Sequence, residues 1–221
     1  MERSVMEYRR LGKSGLEVSI VCLGTMMFGD RTGAREANEI VAHALGAGVN
    51  FIDTADVYAN GESETITGAA IGPQRERWIL ATKVGNVMKG DENRAPFSGG
   101  ASRRWILAAC EASLRRLRTD YVDIYYLHID DANTPLDETV AAMGTLIGSG
   151  KIRYFGVSNF RGWRIAEIVR CCERQNVAPP IVPAVLQPAE PHAGSRGAAG
   201  VRSLRHRRCV VFADRARRAD R

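Results

Sequence analysis

The chain has 221 residues, of which 45% are hydrophobic and 25% charged, the profile of a soluble globular protein long enough to bury a substantial core as one domain. Its formal net charge of +6 resides in residues 189–221, which hold nine Arg, no Lys and three acidic residues, while residues 1–188 carry 22 basic and 22 acidic side chains. The main body is therefore neutral, which argues against a nucleic-acid surface, and the longest uncharged apolar-rich run, residues 18–29, is too short to cross a bilayer.

Residues 8–12 and 16–19, separated by Lys13-Ser14-Gly15, read as a short β-hairpin with a Gly-containing turn. A strand over 20–24 ends in Thr25-Met26-Met27-Phe28-Gly29. Ile40, Val41, Ala44 and Leu45 form one face of a helix over 37–46, stopped by Gly46 and Gly48. A strand over 50–53 turns polar at Asp53-Thr54-Ala55-Asp56-Val57-Tyr58, and Gly61-Glu62-Ser63-Glu64 leads into a helix over 62–71 closed by Gly72-Pro73. The strand over 78–84 is apolar enough to be buried on both faces. The polar stretch 85–102 exceeds the usual loop length and is expected as a lid or a disordered excursion. A helix over 103–118, a strand over 121–128, a helix over 136–148, a strand over 152–157, a helix over 163–174 and a strand over 184–187 complete the series.

The start of the chain, Met1 to Arg10, lacks the apolar core of a secretory leader. Cys22, Cys110, Cys171, Cys172 and Cys209 show neither CxxC spacing nor a zinc-type cluster, and the adjacent Cys171 and Cys172 have poor geometry for a mutual disulfide. These features predict reduced thiols in a cytoplasmic protein without a metal.

Strict strand–helix alternation with apolar strands implies a parallel sheet covered by helices. A barrel and a doubly wound sheet both fit, but Gly24-Thr25-Met26-Met27-Phe28-Gly29 is not the GxGxxG expected after the first strand of the latter. The barrel is preferred, and it gathers functional groups at the C-terminal ends of its strands. Those ends carry Thr25, Asp53 and Tyr58, Lys83, His128, Ser158-Asn159 and Gln187.

Lys83, one of four lysines, caps a run that belongs in the core, where a lone ammonium is costly. Asp53 is its obvious partner, and a purely structural ion pair would explain those two residues alone. His128 alone reads equally as a satisfied rim histidine, Ser158-Asn159 as a helix N-cap, and Gln187 alone says nothing. Together they are equipment for protonating an oxyanion. A tyrosine with a solution pKa near ~10 is a poor proton donor at neutral pH until a neighbouring ammonium lowers it. A neutral imidazole can hydrogen-bond a carbonyl oxygen on its way to alkoxide. No GxSxG elbow, HExxH or P-loop is present.

Arg10-Leu11-Gly12-Lys13-Ser14-Gly15-Leu16-Glu17-Val18-Ser19, Leu23-Gly24-Thr25-Met26, Phe51-Ile52-Asp53-Thr54-Ala55-Asp56-Val57-Tyr58, Thr82-Lys83 and Gly156-Val157-Ser158-Asn159-Phe160 resemble the aldo-keto reductases, in a match running from Met6 to Pro188. The resemblance implies an α/β fold, the (β/α)8 TIM barrel of that family, here incomplete at about six β/α units behind an N-terminal hairpin. It implies NADPH, less often NADH, as cofactor and a small-molecule carbonyl compound as substrate. The catalytic tetrad falls on Asp53, Tyr58, Lys83 and His128, with Tyr58 as general acid. The cofactor positions fall on Thr25, Met26, Asp53, Ser158, Asn159 and Gln187, with Ser158 and Asn159 on the nicotinamide carboxamide. A non-catalytic cofactor-binding or regulatory protein on the same scaffold is the alternative that it leaves open.

The resemblance stops after Gln187-Pro188, and residues 189–221 are rich in Arg, Ala and Gly, with one short apolar run, Val210-Val211-Phe212-Ala213. A basic nucleic-acid arm would want more interleaved aromatics than Phe212. We expect residues 1–188 to form the partial barrel and 189–221 a disordered, non-homologous tail, as loss of the reading frame near codon 188 would produce. A barrel left open exposes two sheet edges, which predicts poor solubility and weak or absent NADPH binding.

Overall fold

A computed structural model describes residues 6–87, 98–182 and 211–212. Strands Tyr8–Arg10 (β1) and Glu17–Ser19 (β2) form the expected antiparallel hairpin, with Tyr8 opposite Ser19 and Arg10 opposite Glu17. Val21–Gly24 (β3), Phe51–Asp53 (β4), Ile79–Val84 (β5), Val122–Leu127 (β6) and Ile152–Val157 (β7) lie side by side in chain order, every pairing parallel. Each is followed by a helix: Ala34–Gly46 (α1), Glu62–Ile71 (α2), Arg103–Leu117 (α3), Leu136–Gly148 (α4) and Gly162–Gln175 (α5). These are successive β/α units of a barrel, with a hairpin ahead of them, as the alternation predicts.

The side-chain period of two splits each strand between two apolar layers. Ile52, Leu80, Tyr125, Leu127, Phe155 and Val157 meet Val41, Ile106, Val140 and Ile168 of the helices. Phe51, Ala81, Ile124 and Tyr126 face the other way and are covered by Leu11 and Val18 of the hairpin region. Both faces are thus buried, which is why these strands read as near-continuous apolar runs. Where a strand emerges from this inner layer, its next inward position is free to be polar, and that is where Asp53, Lys83 and His128 fall.

Local signals account for the element ends. Ser102 caps α3 by accepting the Trp105 N–H at 3.3 Å, and Arg118 closes that helix in the left-handed region. α1 begins at Ala34 rather than at 37, because its first turn is exposed and polar and carries no apolar period to detect. Gly156 lies where the Tyr126 ring crosses the sheet: a Cβ there would sit 2.4 Å from two ring atoms. Only glycine permits that approach.

An isolated parallel bridge lies ahead of the stretch 184–187. Ile181 bridges parallel to Gly156, donating its N–H to the Phe155 carbonyl and accepting from the Val157 N–H, both at 2.9 Å. The strand expected over 184–187, with Gln187, lies outside the described residues. Of the Arg-rich stretch, the structure describes Val211–Phe212 (β8), inside the short apolar run, paired parallel with Val21 and Cys22 on the free edge of β3. No helix among the described residues is long and apolar enough to cross a membrane.

Candidate active site

The strands deliver their polar residues to one rim. Asp53 ends β4, Lys83 is the penultimate residue of β5, and His128 and Ser158 directly follow β6 and β7. Asp53, Lys83 and His128 are 3%, 6% and 9% exposed. The Lys83 ammonium spends all three donors: on Asp53 Oδ2 at 2.5 Å, the Thr54 carbonyl at 2.7 Å and Tyr58 Oη at 3.2 Å. The Tyr58 ring stands edge-on to the His128 imidazole, with centroids 5.9 Å apart. Asp53 Oδ1 and His128 Nδ1 are buried without a hydrogen-bond partner among the described residues.

Electrostatics follow from this burial. Desolvation pulls the Lys83 ammonium's pKa down, but the Asp53 carboxylate and the Tyr58 oxygen outweigh it and hold it above the usual lysine value. Burial pushes the Asp53 carboxyl up, with Lys83 pulling the other way. Burial first and the Lys83 charge second lower His128 to about 4, so the imidazole is neutral at pH 7. One cavity of about 250 Å³ is lined by these four side chains together with Thr25, Met26, Ser158 and Asn159.

Thr25 is buried, donating its hydroxyl to the Asp53 carbonyl at 3.2 Å, whereas Met26 is exposed on the rim. Asn159 sits in the left-handed region at φ 59° and donates Nδ2–H to the His128 carbonyl at 2.8 Å. Ser158 and Asn159 do not cap α5; Arg161 occupies that position, without a side-chain cap bond. A nicotinamide carboxamide offers two donors and one acceptor. Ser158 and Asn159 both line the cavity and carry a hydroxyl and a side-chain carbonyl of complementary chemistry, so the residues present fit a nicotinamide.

Tyr58 owes its placement to a turn that has little signal in the sequence. Ala59, Asn60 and Gly61 have φ of 47°, 54° and 92°, a left-handed run immediately behind Tyr58. Such backbone is sparsely populated for Ala and is held only where its surroundings over-determine it. The Asn60-Gly61 pair was the available signal. Also unforeseen is the buried polar cluster beneath this turn. Glu64 is fully buried, its Oε1 accepting the Thr82 hydroxyl at 2.5 Å and its Oε2 the Arg116 Nε–H at 2.7 Å. Asp56 is 3% exposed, and burial together with the Glu64 charge raises its carboxyl to about 7. The helical register that places Glu64 on one face with the buried Gly68 and Ile71 could have marked it as interior.

Comparison with known proteins gives a consistent family. The aldo/keto reductase family model matches residues 20–189. A probable voltage-gated potassium channel subunit beta of Arabidopsis thaliana is 40% identical over 181 residues, covering 80% of this chain and 54% of that protein. An uncharacterized oxidoreductase, YrpG, of Bacillus subtilis (strain 168) is 40% identical over 169 residues, covering 73% of this chain and 52% of that protein. A probable voltage-gated potassium channel subunit beta of Oryza sativa subsp. japonica is 39% identical over 181 residues, covering 80% of this chain and 54% of that protein. The chain spans about half the length of the curated relatives it matches.

Proposed function

The chain belongs to the aldo/keto reductase family, and from that premise we propose that it takes part in NADPH-dependent reduction of aldehydes or ketones, with Tyr58 as the proton donor. The observation that carries the reading is the Lys83 ammonium held 2.5 Å from Asp53 and 3.2 Å from the Tyr58 hydroxyl at the cavity wall. A reduced nicotinamide, when bound, supplies the hydride to the carbonyl carbon.

The remaining work falls to this chain's own residues. Ser158 and Asn159 hold the carboxamide, and Thr25 and Met26 border the same space. Tyr58, on the cavity wall, protonates the substrate oxygen as negative charge develops there. Lys83, fixed by Asp53, stabilises the phenolate left behind. His128, neutral at pH 7, donates a ring N–H to the same oxygen without competing as an acid. Gln187, which lies outside the described residues, is proposed as a further cofactor contact on the strength of the family resemblance alone.

The test is oxidation of NADPH by the purified full chain over a panel of aldehydes and ketones. The reading expects carbonyl-dependent oxidation to the extent that the open barrel binds NADPH, and cofactor binding without turnover of any member would contradict it. A second reading, a non-catalytic cofactor-binding or regulatory protein, draws on the names of the two plant relatives, probable voltage-gated potassium channel beta subunits. Under it, NADPH binds and no carbonyl compound promotes its oxidation.

A further inference from the structure

The segment Ser63-Glu64 carries no chemistry in the reading above, yet both side chains are fully buried beside the Tyr58 turn. Ser63 Oγ donates to the Thr25 carbonyl at 2.7 Å and lies 3.0 Å from the Thr54 hydroxyl, which ties the start of α2 to the ends of β3 and β4. Glu64 reaches further. Its Oε1 takes the hydroxyl of Thr82, the residue next to Lys83 on β5. Its Oε2 takes Nε at 2.7 Å and Nη2 at 2.6 Å from Arg116 of α3.

The Arg116 side chain in turn lies under Gly61, the last residue of the left-handed run behind Tyr58. A Cβ on Gly61 would stand 2.8 Å from Arg116 Cδ and 2.9 Å from Nε. One buried carboxylate therefore joins the strand that carries Lys83 to the turn that carries Tyr58. Both ends of the bridge land within three residues of the two groups whose separation the chemistry needs.

We propose that Glu64 and Arg116 are positioning residues: bridging Thr82 to Gly61, the pair fixes the Tyr58 hydroxyl against the Lys83 ammonium. Neither touches the cavity, so each acts through the turn. The proposal rests on Tyr58 as proton donor, and it explains why a strained Ala59-Asn60 backbone persists. The Arg116 fork gives the bridge a direction that a point charge would not.

The experiment uses the full chain labelled with 13C at the tyrosine Cζ, with the Tyr58 resonance identified by its loss in Tyr58→Phe. In the unmodified chain, Lys83→Met shifts that resonance because the ammonium contact is removed. In Glu64→Gln and in Arg116→Lys backgrounds, each checked by thermal unfolding to be folded, most of that shift is lost, because Tyr58 no longer sits on Lys83. A Lys83→Met shift of the same size in all backgrounds overturns the proposal, as does a Tyr58 resonance indifferent to Lys83→Met in the unmodified chain. If Glu64→Gln does not fold, Arg116→Lys decides between the same outcomes. Where turnover is measurable, both variants lower kcat on the order of 100-fold with the cofactor KM unchanged. An unmodified chain inactive towards every carbonyl compound sinks the proton-donor reading, while the resonance measurement still decides the positioning.

Discussion

Lys83→Met tests whether Asp53 and Lys83 are a mutually dependent buried pair. The lysine side chain is 7% exposed and the aspartate's 4%, so methionine of similar length leaves the carboxylate without its counter-ion and still shielded from water. Asp53 Oδ1 already lacks a partner. The substitution strips Oδ2 of its 2.5 Å donor and the Thr54 carbonyl of its 2.7 Å donor. Breaking a buried pair from one side costs about 3–5 kcal/mol, and the carboxyl has one escape, which is to protonate. From a reference pKa of ~3.9, carrying a proton at pH 8 costs more than ~5 kcal/mol, but at pH 5 only ~1.5 kcal/mol. A carboxyl whose folded pKa is raised loses stability as pH rises, so the penalty is about 3–5 kcal/mol at pH 8 and shrinks to about 1–2 kcal/mol at pH 5. Urea unfolding at both pH values reads this directly, with Asp53→Leu/Lys83→Met as the partner experiment. Removing both charges recovers most of the loss. A penalty that does not change with pH, or a double variant as unstable as the single one, refutes the pairing.

Asp56 and Gly156 are tested by the same kind of measurement. Asp56 is raised to about 7 and His128 lowered to about 4. Between ~4 and 7 the folded chain keeps an Asp56 proton that the unfolded chain has released, so this group's contribution falls with rising pH, while His128 contributes the opposite slope up to ~6.5. Asp56→Asn removes the first slope alone, and its stability relative to the unmodified chain should therefore rise by ~4 kcal/mol between pH 4 and pH 8 in urea titrations; a constant difference would mean that Asp56 ionises normally. Gly156→Ala drives a methyl to 2.4 Å from the Tyr126 ring and 2.8 Å from the Ile181 carbonyl, with an expected loss of ~1–3 kcal/mol in urea unfolding; a neutral substitution would mean that the crossing is looser than described.

The sequence made the architecture legible because the strands are buried on two faces. Runs such as Ile79-Leu80-Ala81-Thr82 could only be interior, and the first inward position beyond each run announced the site. The Lys83–Asp53 contact follows from the cost of a lone buried ammonium, a rule that needs no coordinates. What stayed hidden depends on contacts across the fold. The helical register sets Glu64 apart from Glu62 as an inward-facing position, but its partner is on another helix, and only the seating of α2 on α3 shows that it is buried against Arg116. Ala59 has no sequence signal for its left-handed backbone, since the surroundings impose it. The bridge at Ile181 precedes the residues that looked most strand-like, and β8 rests on two residues of a short apolar run in an otherwise Arg-rich stretch.

In the proposed function Tyr58 delivers the proton while other residues hold the cofactor. The most direct measurement compares the unmodified chain with Tyr58→Phe in one preparation, following NADPH affinity by fluorescence and carbonyl-dependent NADPH oxidation together. The affinity is expected to be unchanged and the turnover reduced by ~10²–10⁴-fold. Turnover that survives the loss of the Tyr58 hydroxyl would contradict that role.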